Sequence, residues 1–138
     1  MLDRVSCSSR DEWRYPSRKR ADYYTTGHGI PWVKTQELLD TIVYDTEEHL
    51  SELGLKESSA KLLPKDTLLV AMYAAPTAGR MAILGRDMAC NQAACALIPD
   101  QSQVLTRWLF YQLLANRSQL HRLANGAAQQ TGSAARRR

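Results

Sequence analysis

Apolar positions change rhythm twice along this chain. Up to residue 29 they are scattered among charges and turn residues, from Ile30 to Ile98 they gather into short dense runs, and after Pro99 they recur at three- and four-residue steps. Short apolar runs bounded by Gly, Pro, Asp or Ser predict strands, and the three-to-four step predicts a helix with one buried face. The clearest strand is Thr67 to Ala74, where Leu68, Leu69, Val70, Met72 and Tyr73 follow the turn Pro64-Lys65-Asp66 and stop at Ala75-Pro76. Arg80 to Leu84 and Ala93 to Ile98 predict two more strands, separated by Gly85-Arg86-Asp87. Three strands so close in sequence predict a mostly antiparallel meander.

The remaining pattern is weaker. Ile30 to Lys34 opens with Ile-Pro, and because proline has no N–H to give a ladder, this stretch predicts an edge strand or a strand start. Gln36 to Asp40 fits one helical turn, and Ile42 to Tyr44 a brief strand. Ser51 can cap a short helix through Leu53 that Gly54 interrupts, and Ser58 or Ser59 can begin another turn. Downstream, Leu105, Trp108, Leu109, Leu113, Leu120, Leu123 and Ala124 predict one helix of roughly six turns. Asp100 or Ser102 can cap its start and Gly126 can end it, with Arg107, Arg117 and Arg122 off the apolar stripe. Strands followed by a long helix, without an internal repeat, predict an α+β fold: a small, mostly antiparallel twisted sheet with short helices and one long C-terminal helix packed on it.

Composition narrows the class. With 138 residues, 44% hydrophobic and 23% charged, the chain suits one ordinary globular domain and does not suit disorder, a collagen-like repeat or a disulfide scaffold. Residues 1 to 24 carry six basic and four acidic groups, residues 25 to 100 six and ten, and residues 101 to 138 six and none. The net charge of +4 therefore comes from the two ends, which can meet nucleic acid or an acidic membrane, or can be solvated tails, as Arg136, Arg137 and Arg138 read after Gln129 to Ser133. Thr67 to Gly79, the longest uncharged stretch near the middle, is about half of what a bilayer helix needs. The first residues lack an apolar targeting segment. Cys7, Cys90 and Cys95 form an odd set without framework spacing, which suits a reducing cytoplasm.

Catalytic chemistry has little to stand on. There is no Gly-x-Ser-x-Gly, no phosphate-cradling Gly-rich loop and no pair of histidines at helical spacing among His28, His49 and His121. Cys90 and Cys95 have a spacing that zinc ligands use, but the second pair would have to come from distant residues, and buried apolar packing is the competing reading. The Asp45 to Glu48 run reads as a solvated face, and no Asn/Asp-Pro-Pro-aromatic motif of amino-methyltransferases occurs. No catalytic residue, cofactor or metal is expected.

Six strings in order, "PSRKRADYY", "GIPWVKTQEL", "LSELGLKESSAKLLPKDTLLVAMY", "TAGRMAILG", "CNQAACALIP" and "FYQLLANRSQLHRLANGAAQ", resemble the target-recognition domain of the DNA-specificity subunit of type I restriction-modification systems. The resemblance covers residues 15 to 129. Residues 1 to 14 match poorly, and 130 to 138 read as a basic flexible tail. It implies a non-catalytic module that reads one half of a bipartite double-stranded DNA target. In that family a full subunit carries two such domains on long spacer helices, and methyltransferase and motor-nuclease subunits join it. Here there is one domain and no spacer helix, and the family's "GGAQPNL" segment reads Gly126-Ala127-Ala128-Gln129-Gln130-Thr131-Gly132, as in a truncated half-subunit. A remnant that docks on methyltransferase or on an intact specificity subunit without reading DNA is the alternative.

Base reading needs side chains that pair donors and acceptors with base edges, and cations and hydroxyls that fix the backbone register. Candidates are Lys34, Thr35 and Gln36 after the Ile30 run, Ser58, Ser59 and Lys61 in the Ser-rich turn, Thr77, Gly79 and Arg80 in a flexible turn, and the amides of Asn91 and Gln92. Lys34 and Arg80 read equally as surface charges, Ser58 and Ser59 as helix caps, and Asn91 and Gln92 as groups satisfying loop backbone. Trp32 reads as core. Arg14, Arg18, Lys19 and Arg20 beside Tyr15, Tyr23 and Tyr24 have the mixed composition of nucleic-acid grooves, or of a solvated opening segment.

Overall fold

A computed structural model describes residues 2–6, 16–72, 77–91 and 93–122. Among the described residues, ten short strands form two five-stranded sheets. The larger has the order β1 (Leu2–Ser6), β10 (Ala94–Pro99), β7 (Leu68–Ala71), β8 (Met81–Leu84), β4 (Thr41–Val43). The smaller has the order β2 (Tyr24–Thr25), β5 (His49–Leu50), β3 (Ile30–Val33), β9 (Met88–Cys90), β6 (Leu62–Leu63). The α1 helix spans Glu52–Lys56 and α2 spans Thr106–Ala115.

Strand alternation sorts the apolar residues into layers, because neighbouring side chains point to opposite faces. In β7 and β8, Leu69, Ala71, Ala82 and Leu84 face a core between the sheets that also takes Val33, Met88 and Cys90. Leu68, Val70, Met81 and Ile83 face the other way, onto Leu109 and Phe110 of α2. On the far side of the smaller sheet, Trp32, Leu50 and Ala89 pack with Tyr24, Ile30 and Leu55. The α+β class and the C-terminal helix packed on a sheet are as expected. Each sheet also contains one parallel pair, β4 with β8 and β3 with β9.

Several local expectations are corrected. The meander of β7, β8 and β10 is antiparallel, but between β8 and β10 the chain crosses to the other sheet as β9. Pro31 stands at the start of β3, as one of the two expected placements has it, but the strand lies in the middle of its sheet rather than at an edge. It bonds β5 through Ile30 and Pro31 and β9 through Trp32 and Val33, so Pro31 interrupts neither short ladder. Helix α1 runs through Gly54, whose N–H donates to Ser51 Oγ at 3.0 Å. A Cβ at Gly54 would lie 2.5 Å from the Tyr23 carbonyl oxygen, so glycine is there for close approach rather than to end the helix.

The long helix is shorter than its periodicity suggests. Leu105, without a side-chain cap, occupies the N-cap of α2. Asp100 instead builds its own turn, accepting from Ser102 N at 2.9 Å and Ser102 Oγ at 2.6 Å. The α2 helix stops at Asn116, whose Nδ2 donates back to the Gln112 carbonyl at 2.8 Å, a local bond that competes with helix propagation. Residues 117–122 are helical again. Leu123, Ala124, Gly126 and the tail lie outside the described residues. Cys90 is a free, buried thiol that burial pushes up to about 12. Cys95 is disulfide-bonded, which the cysteine spacing did not announce. No helix among the described residues is long and apolar enough to cross a membrane.

Candidate nucleic-acid interface

The candidate residues lie far apart in sequence, and strand pairing gathers most of them. Strands β3 and β9 run parallel, with Val33 opposite Cys90, and the Asn91 N–H donates to the Val33 carbonyl at 3.1 Å. Lys34 and Asn91 therefore leave the smaller sheet side by side. Strand β6 runs antiparallel to β9 with Leu62 opposite Ala89, so the register carries Lys61 to the same rim. Met72 N bonds the Ala93 carbonyl at 2.8 Å and Gly79 N bonds the Ala71 carbonyl at 2.8 Å, which brings the Thr77 to Arg80 turn alongside. That turn closes through Arg80 N to the Thr77 carbonyl at 2.9 Å. Gly79 has φ +83°, a left-handed conformation that glycine adopts without a Cβ penalty.

Asp40 ties this rim to the larger sheet. At φ +59° it donates its N–H to the Met81 carbonyl at 2.8 Å, accepts from Met81 N on Oδ1 at 3.1 Å, and pairs with Arg117 beyond α2. Asn91 Oδ1 is buried and has no hydrogen-bond partner among the described residues, so the expected satisfaction of loop backbone by that oxygen is not made. Thr35 is buried and Gln36 exposed. Ser58 does not begin a helical turn. Its Oγ donates to the Leu55 carbonyl and accepts from Ala60 N, closing the turn that leaves α1. Gln92 lies outside the described residues.

The cations are not equivalent. Lys61 and Arg80 have no ion pair with a carboxylate among the described residues, whereas Lys34 Nζ lies 3.1 Å from Glu47 and 3.4 Å from Glu48. Burial acts to lower the Lys34 ammonium, and the Glu47 hydrogen bond with the Glu48 and Glu47 charges outweighs it, so the group stays raised. Arg18 forks onto Glu48 at 2.6 and 2.9 Å and lies over the rings of Tyr24 and Trp32, 4.8 and 5.3 Å from their centroids. Its hydrogen bond holds the Glu48 carboxyl below the usual carboxylate range. Arg20 forks onto Asp22 and covers Tyr23. Arg18 and Arg20 of the basic and aromatic opening segment are thus engaged within the fold, Arg14 and Tyr15 lie outside the described residues, and Trp32 is core.

Acids that sequence reasoning set aside organise this region. Asp45 to Glu48 is not simply a solvated face: Asp45 Oδ1 lies 2.8 Å from His49 Nε2 and 2.9 Å from Arg86, and Glu47 and Glu48 meet Lys34. Glu37 accepts from Lys34 N at 2.9 Å and Glu47 N at 2.8 Å, holding two loops with one carboxylate. A glutamate three residues into a turn was the available signal. Elsewhere, a cavity of about 360 Å³ opens between Tyr44, Lys65, Gly85 and the start of α2.

Comparison with known proteins bears on the family of the chain. The family described as type I restriction modification DNA specificity domain matches residues 13–135. The specificity subunit of the Escherichia coli type I restriction enzyme EcoR124I/EcoR124II is 24% identical over 119 residues, 85% of this chain and 28% of the relative. The MjaIX specificity subunit of Methanocaldococcus jannaschii is 30% identical over 99 residues, 70% of this chain and 22% of the relative. The chain thus spans about a quarter of the length of these relatives. In three dimensions it resembles the HsdS subunit from Thermoanaerobacter tengcongensis, with TM-score 0.57, 19% identity, and 78% of this chain and 25% of that one covered. A chain of a type I R-M system solved for its complex assembly and conformational transition gives TM-score 0.56 at 14% identity, covering 96% and 37%.

Proposed function

We propose, from the premise that this chain belongs to the type I restriction modification DNA specificity domain family, that it binds double-stranded DNA sequence-specifically and reads one half of a bipartite target. The observation that carries this reading is the convergence of Lys34, Lys61, Asn91 and the Thr77 to Arg80 turn on one rim. Lys61 and Arg80, which no carboxylate pairs among the described residues, supply cations for phosphates, and Gln36, Ser58, Ser59 and Thr77 supply polar groups, with Thr35 buried behind Gln36. The Asn91 amide, whose buried Oδ1 has no partner among the described residues, reads adenine once it turns outward. Bond-making falls to methyltransferase and motor-nuclease subunits, with this chain as a non-catalytic cytoplasmic reader, alone or beside a second half-subunit.

The test is a titration of short duplexes of varied sequence against salt. Affinity falls on a log–log plot with a slope of about −0.9 per phosphate contact. Lys61→Ala and Arg80→Ala weaken all duplexes alike, and Asn91→Ala relaxes choice at one position. Absence of binding to every duplex at low salt sinks the reading. The docking alternative has one observation in its favour: Leu105 at the N-cap of α2 and Trp108 and Tyr111 on the helix recur at three-residue steps and are 65, 52 and 58% exposed. Co-purification with a methyltransferase by a protein that retains no DNA favours it.

A further inference from the structure

The pair formed by Lys34 and Glu47 is built unevenly. The Lys34 side chain is 22% exposed and Glu47 is 79% exposed. Glu48, the other carboxylate near Lys34, is also claimed by the two-pronged contact from Arg18. The Glu47 carboxylate has no partner other than Lys34 among the described residues. Glu37 meanwhile fixes the backbone N–H groups of both Lys34 and Glu47. The result is a lysine held at a defined point on the rim by a carboxylate that can swing into solvent without disturbing either backbone.

We propose that Glu47 is a built-in stand-in for a DNA phosphate at Lys34, and so a determinant of specificity. This rests on the DNA-reading function above. In the free protein its carboxylate keeps the ammonium in its bound position, and an arriving duplex replaces it with a phosphate oxygen of like charge. The exchange swaps one ion pair for another, so Lys34 contributes little net attraction to an arbitrary duplex. It rewards only a duplex whose register sets a phosphate at that point. Lys61 and Arg80, which no carboxylate pairs among the described residues, supply the undirected attraction.

The experiment is a double-mutant cycle with Glu47→Gln and Lys34→Met, the methionine keeping the apolar stem while removing the charge. Binding to an arbitrary duplex and to the preferred one is measured against salt, with thermal unfolding confirming that each variant folds. Glu47→Gln is expected to tighten arbitrary binding by about twofold to fivefold. It also steepens the salt slope by up to about one unit. The gain on the preferred duplex is smaller, and Glu47→Gln has no effect in the Lys34→Met background. An unchanged affinity in Glu47→Gln, while the wild-type protein binds DNA, overturns the proposal alone. So does an equal gain in the Lys34→Met background, since general charge repulsion would then account for it. A wild-type protein that ignores all duplexes removes the DNA-reading function and this proposal with it.

Discussion

The two sheets are held in different ways. In the larger, every pairing runs over three or four residues, and alternate side chains fill two apolar cores. In the smaller, no pairing exceeds two residues. Side chains do there what a longer ladder does elsewhere. Thr46 Oγ1 accepts from Trp32 N at 3.0 Å and donates to the Glu48 carbonyl at 2.6 Å, Glu37 joins two loops, and Ser51 Oγ bonds the Asp22 carbonyl at 2.7 Å. Where backbone pairing is short, polar side chains carry the register, and a rim built this way already has its charges and hydrogen-bonding groups in place.

The comparison can be broken at its strongest point first. Leu69 is fully buried in the core that both sheets share, so Leu69→Ala should cost about 2–5 kcal/mol in urea unfolding. Probes on the two sheets should report one coincident transition. Separate transitions would mean that the sheets are independent units, contrary to a common core.

A smaller effect isolates the lesser sheet. Thr46→Val removes a buried hydroxyl that serves Trp32 and Glu48, and should cost about 1–2 kcal/mol. Amide exchange should accelerate at Trp32 while Leu69 and Val70 keep their protection. Equal acceleration at all three would show that polar ties do not hold the smaller sheet separately.

The smallest effect is the acid response. Arg18 holds the Glu48 carboxyl low, and His49 with the Thr46 N–H and Arg86 holds Asp45 low. A carboxyl depressed on folding stabilises above its unfolded value, about pH 4, and loses that contribution as pH falls through its lowered folded value. Stability should therefore decline below about pH 4, and Glu48→Gln should flatten the decline. A Glu48→Gln curve that superimposes on the wild type would show that this ion pair contributes nothing. Because both carboxylates face solvent, salt should weaken the effect.

Legibility followed the same divide. The apolar runs around Leu68, Met81 and Ala94 announced β7, β8 and β10, since a strand between two cores must be apolar on both faces. Strands of two residues such as β5 and β6 are too short to show a period. Gly54 read as a helix end because its cause, the Tyr23 carbonyl, arrives from 31 positions earlier in the chain. The rim residues were named in sequence, but their partners were not. The Lys34 contact with Glu47 spans 13 positions and that of Arg18 with Glu48 spans 30.

The order of residues by itself determined an α+β chain with an apolar meander and a terminal helix. Only the tertiary structure decided that β9 leaves the meander to run beside β3, that Lys34, Asn91 and Lys61 therefore share a rim, and that among the described residues Lys34 is matched with a carboxylate while Lys61 is not. Periodicity reports what a residue's own neighbours require of it. Which strand lies beside which is settled by how the faces of two sheets bury one another, and that is a property of the whole chain.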